Sequence, residues 1–133
     1  MNIEDIEGLG SGYAVRLKAA GIATVEALLE QGGAAKGRGA ISSSTGISEK
    51  LILTWVNHAD LIRLNDVGPQ FAELLEAAGV DTVKELRNRN AANLTSKLIE
   101  INEAKNISGT TPSEKQVRAW IEEAKTLDPM VSH

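Results

Sequence analysis

Ile6-Glu7-Gly8-Leu9-Gly10-Ser11-Gly12-Tyr13-Ala14-Val15-Arg16-Leu17-Lys18-Ala19-Ala20-Gly21-Ile22-Ala23-Thr24-Val25-Glu26-Ala27-Leu28 returns 58 positions later as Leu64-Asn65-Asp66-Val67-Gly68-Pro69-Gln70-Phe71-Ala72-Glu73-Leu74-Leu75-Glu76-Ala77-Ala78-Gly79-Val80-Asp81-Thr82-Val83-Lys84-Glu85-Leu86. Nine positions are identical, among them Gly10/Gly68, Ala14/Ala72, Leu17/Leu75, Gly21/Gly79 and Thr24/Thr82. Self-similarity at a fixed spacing marks a repeated structural unit, so whatever fold one copy adopts the other should share. Within each copy the punctuation is helical. Apolar residues fall on one side at Tyr13, Leu17 and Ala20 and again at Val25, Leu28 and Leu29. Gly21 and Gly79 stand where a helix is ended by a residue free to take positive φ. Thr24 and Thr82 stand where the next helix wants an oxygen to cap its first amides.

A second correspondence runs at a longer spacing. Ser48-Glu49-Lys50 with Trp55 and Ala59 matches Ser113-Glu114-Lys115 with Trp120 and Ala124, 65 positions on. The second copy therefore carries seven extra residues between its matched halves, expected to lengthen a helix at 91–105 and the loop 106–112. Ser113 and Gln116 have capping-box spacing, and Val117, Trp120, Ile121 and Ala124 form one apolar stripe, which predicts a helix over 113–126. The expected fold is all-α: two divergent repeats of about five short helices each, residues 1–61 and 62–133, packed as one unit. Residues 128–133 read as a frayed tail.

Composition narrows the function. The chain of 133 residues is 42% apolar, enough for a core, and its aromatic residues are few. Without cysteine it has no disulfide, thiolate metal site or cysteine nucleophile. No apolar run is long enough for a membrane span, and the acidic start is unlike a signal peptide, so a cytoplasmic protein is expected. The net charge of −4 argues against a long DNA footprint, which needs a basic excess to displace counterions. From Gly8 to Val25, however, Arg16 and Lys18 stand without an acid.

The pattern at Ile6, Gly8, Leu9, Gly10, Ala14 and Leu17 resembles the helix-hairpin-helix motif of DNA repair and replication proteins. The resemblance implies a SAM-like tandem assembly in which the residue between the glycines plugs the core and main-chain amides hold a DNA phosphate. Over nearly its whole length, through Lys36-Gly37-Arg38, 45–61 and 73–83, the chain also looks like a bacterial family of helix-hairpin-helix-type proteins with no established activity. Physics supports the phosphate contact independently. A helix start exposes unpaired N–H groups, its dipole favours an anion, and glycine leaves room for the approach.

The expected site is thus Gly8, Leu9, Gly10, Ser11 and Gly12 with Arg16 and Lys18, contacting DNA backbone without reading sequence. Val67, Gly68 and Pro69 make a weaker second hairpin, because Asp66 replaces the first glycine and its carboxylate repels phosphate. A protein–protein adaptor, as a homodimer or a subunit of a DNA-processing complex, is the competing expectation. A helix-turn-helix at 45–48, presenting Ser48, Glu49, Lys50 and Thr54, is disfavoured because Ser-Glu-Lys recurs as a cap in both copies. No cofactor, metal site or catalytic group is expected. His58 and Asp60, two apart on a helix, point to different sides, and no phosphate loop or serine elbow occurs. Trp55 and Trp120, on matching apolar stripes, are expected in the core.

Overall fold

The computed structural model describes residues 1–133. It is all-helical, with eight α-helices, no strand, and a single isolated antiparallel bridge between Asn2 and Thr24. Its contacts divide the chain into two compact units, Met1–Asp60 with Met130–His133, and Leu61–Pro129.

In the first unit a single 3-10 turn, Ile3–Asp5, leads into α1, Gly10–Ala19, then α2, Val25–Gly32, α3, Ala35–Thr45, and most of α4, Glu49–Ile62. Ile3, Ile6 and Leu9 recur at three-residue spacing and are all buried, which pins the chain before α1 to the core. Thr24 Oγ1 accepts the amide of Ala27 and starts α2. The main chain of Met1–Ile3 pairs with Ala23–Val25 through Ile3 N–H to Ala23 O, 3.1 Å, and Val25 N–H to Met1 O, 2.9 Å.

Helix α3 is the least expected element, since Gly37, Gly39 and the run 42–45 are weak helix formers. Packing overrides that weakness. A methyl group at Gly37 would strike the main-chain carbonyl of Gln31, so the glycine lets α3 lie directly on α2. At its end Thr45 donates back to Ile41 O at 2.7 Å, and Ser42 donates to Ile47 O at 2.6 Å, which ties the end of α3 to the link before α4.

In the second unit α5, Pro69–Ala77, α6, Val83–Leu86, α7, Ala91–Lys105, and α8, Glu114–Ala124, follow in the same order. Each copy has four α-helices rather than about five. The residues before the first turn make only one 3-10 turn, and their matches, Leu61 and Ile62, are simply the last turn of α4. α7 and α8 pack together, α6 lies on α8 and α5 on α7. Thr82 caps α6 through the amide of Glu85, and Ser113 with Gln116 forms the full reciprocal capping box of α8. Relative to the first copy, α7 is four positions longer than α3 and the loop before Ser113 five longer than its match, while the stretch from α6 to α7 is two shorter.

Repetition extends to the core. Tyr13 packs on Trp55 with ring centroids 5.1 Å apart and a 57° tilt, and the matching Phe71 packs on Trp120 at 5.3 Å and 53°. These four rings are all the aromatic side chains in the protein. Both tryptophans are 2% exposed, so they are core residues and not platforms for bases. No helix is long and apolar enough to cross a membrane.

Candidate functional site

The two sequence-predicted sites are the starts of α1 and α5, and they differ in detail. Before α1, the amide of Leu9 bonds Ile6 O at 3.2 Å and the Leu9 side chain is buried, which turns the chain. Gly8 and Gly10 take φ of +81° and +75°, a region a side chain enters only at a cost. The space beside both glycines is open, with no atom within 4 Å of where a Cβ would stand. No side chain caps the helix. The amides of Gly10, Ser11 and Gly12, all exposed, donate to nothing within the chain.

Charge at this turn is more selective than the sequence implied. Arg16 lies 5.6 Å over the Tyr13 ring and lines a shallow depression with Leu9, Gly12 and Tyr13. Stacking holds the guanidinium over Tyr13, on the depression that Gly12 also lines, an arrangement worth about 0.5–1 kcal/mol at an exposed site. Tyr13 therefore positions Arg16, a role the sequence reading missed although the three-residue spacing on one helix face could have signalled it. Lys18, by contrast, forms an ion pair with Glu4 of the 3-10 turn. Its charge is directed at a carboxylate. Exposed Glu7 precedes Gly8 and opposes an anion there.

The start of α5 is built differently. Asp66 adopts the positive φ, +66°, that Gly8 has in the first copy, and Val67 is the buried plug. Gly68 does not match Gly10. It caps the helix in extended backbone at φ −95°, ψ −173°, with Pro69 as the first helical residue. Proline is well suited to that place but brings no N–H. At the positions of Arg16 and Lys18 stand Leu74, buried in the core, and Glu76. The loop with the extra residues reaches this turn, where Ser108 Oγ lies 3.5 Å from Oε1 of Gln70 in the first turn of α5. The amide of Asn65 beside Asp66 bonds the Glu123 carboxylate at 2.8 Å. Fewer donors, acidic company and a neighbouring loop distinguish this turn from the first.

Ser48 is spent as a cap, accepting the amide of Leu51 at 3.2 Å, and Thr54 donates back to Lys50 O at 3.1 Å. His58 and Asp60 are both buried.

Fold and site together define an all-helical protein of two repeated units in which α1 has an open, glycine-lined start. The chain belongs to the family defined by DUF4332, a domain of unknown function, which it matches over residues 7–127. No curated protein and no solved structure matches it. The matched stretch includes the whole Gly8–Gly12 turn and runs through both units.

Proposed function

We propose that this protein is a non-enzymatic, sequence-independent DNA-binding module that holds a backbone phosphate at the start of α1, by the arrangement its helix-hairpin-helix likeness implies. The observation that carries the reading is the set of three unclaimed amides at Gly10, Ser11 and Gly12 beside the stacked Arg16. Amides and helix dipole suit a phosphate oxygen, and the guanidinium adds charge and directional N–H donors. Nothing in this set discriminates between bases. With one phosphate engaged and a net charge of −4, binding is weak and strongest in low salt.

Fluorescence anisotropy of two labelled duplexes of unrelated sequence tests this. Equal binding at low salt, loss on adding salt, and weaker binding by Arg16→Ala are the expected results. No retention of either duplex at low salt overturns the proposal.

One observation favours the adaptor reading instead. Val15, midway along α1, has 67% of its surface exposed, and the acidic net charge disfavours nucleic acid. A photo-crosslinker at position 15 that captures a protein, in a chain that ignores DNA, selects that alternative.

A further inference from the structure

The turn before α1 offers more donors than a phosphate inside a DNA strand can use. Gly10, Ser11 and Gly12 present three open amides, and Arg16, on the depression that Gly12 also lines, presents a forked guanidinium. An internal phosphodiester has a pair of free oxygens and a single negative charge. A phosphomonoester at the end of a strand has three free oxygens and a charge of about −1.5 to −2 at neutral pH. No atom stands within 4 Å of where a Cβ would lie at Gly8, Gly10 or Gly12, so the further oxygen meets no obstacle there.

Charge around the turn points the same way. Arg16 is the one cation lining the depression, and it makes no ion pair in the chain. Lys18 is committed to Glu4, and Arg38 is buried on the carbonyls of Gly32, Gly33 and Ser132. Lys50 lines a separate depression with Arg38, Glu49 and His133. A strand running through the turn carries a phosphate on each side of the one held, and exposed Glu7, next to Gly8, repels such a neighbour. A strand end brings a neighbour on one side only. It also needs no basic track, which fits a net charge of −4.

We infer that the start of α1 selects the terminal phosphomonoester of a DNA strand over the phosphodiesters within it. This rests on the phosphate reading of the turn and names which phosphate it takes.

The test titrates the full chain at low salt against one duplex with an internal fluorophore. The duplex is prepared with 5′-phosphate, 3′-phosphate or hydroxyl ends, and in a closed form whose strands are joined by loops. At least one phosphorylated form should bind about tenfold or more tighter than the hydroxyl-ended and closed forms, the gain expected of a further hydrogen bond to a charged group. The form that gains identifies the end recognised. Arg16→Ala, at an exposed position, should erase the difference while circular dichroism shows the helices intact. Equal binding of all the forms overturns the inference, and leaves the backbone reading standing where Arg16→Ala weakens that binding. No binding of any form overturns both. A preference that survives Arg16→Ala, or inorganic phosphate displacing the phosphorylated duplex at the duplex's own concentration, also overturns the inference.

Discussion

The starts of α1 and α5 are the same structural device put to different ends. Both bury an apolar plug, Leu9 or Val67, both have a positive-φ residue just before it, and both send the following helix into the core through Leu17 or Leu75. Only the first leaves three exposed amides unclaimed and sets an arginine beside them. In the second, Pro69 deletes a donor, Leu74 replaces the arginine and has joined the core, and Ser108 approaches from an enlarged loop. Duplication preserved what packs and released what faces solvent.

That contrast can be attacked from several sides. The largest effect is expected where the copies should agree. Leu17 and Leu75 are both fully buried, so Leu17→Ala and Leu75→Ala should each cost about 2–5 kcal/mol in denaturant unfolding. A cost outside that range at either site breaks the claim that both copies do the same structural work.

Next comes a transplant of the second turn's proline into the first. Ser11→Pro removes one amide at a position where proline suits the helix, so stability should hold while DNA affinity falls about tenfold, as expected for losing a hydrogen bond to a charged group. Unchanged affinity in the anisotropy titration removes the Ser11 amide from the site.

The matched glycines then predict opposite signs. Gly10→Ala forces a side chain into φ +75° and should destabilise by about 1–2 kcal/mol. Gly68→Ala keeps an ordinary extended conformation with open space around it, and should be neutral or stabilising by up to about 1 kcal/mol. Same-sign shifts in melting temperature contradict the two backbone geometries.

The smallest effect separates α2 from α6, where Glu26 corresponds to Lys84. The Glu26 carboxyl is held below its ordinary range, first by a main-chain hydrogen bond at its own residue and then by the Met1 ammonium, 3.0 Å away. A lowered folded-state pKa gives stability that is present above the unfolded value and lost as pH falls through the folded one. Glu26→Gln should therefore lower the denaturation midpoint slightly near neutral pH and lose its effect in acid below the usual carboxylate range. An effect that instead persists at low pH assigns the stability to packing.

Much of the fold is legible in the residues. Helix stops, caps and apolar stripes are local, and they place Thr24, Thr82, the Ser113 box and the two tryptophans correctly, because each depends on spacing within a few positions. What is not legible is non-local. Helix α3 has weak intrinsic propensity, and only the close approach to α2 that Gly37 permits makes it a helix. The chain before α1 makes only a single 3-10 turn, with Ile3 and Ile6 both buried, and no local spacing places it. Lys18 reads as a free cation in its own stretch of sequence, yet its partner is Glu4, fourteen positions away. The Arg38 guanidinium donates to Ser132 O from 94 positions away, docking a stretch that reads as a frayed tail, and nothing in the spelling of either announces the other.

The duplication, the helical class and the asymmetry between Gly-Leu-Gly and Asp-Val-Gly are properties of residue type and spacing, so the linear chain carries all three. Which amides remain open, which charges are already paired and where the last residues lie are settled only by folding in three dimensions. Those depend on what distant segments bring within hydrogen-bonding reach, and a one-dimensional pattern carries no distance.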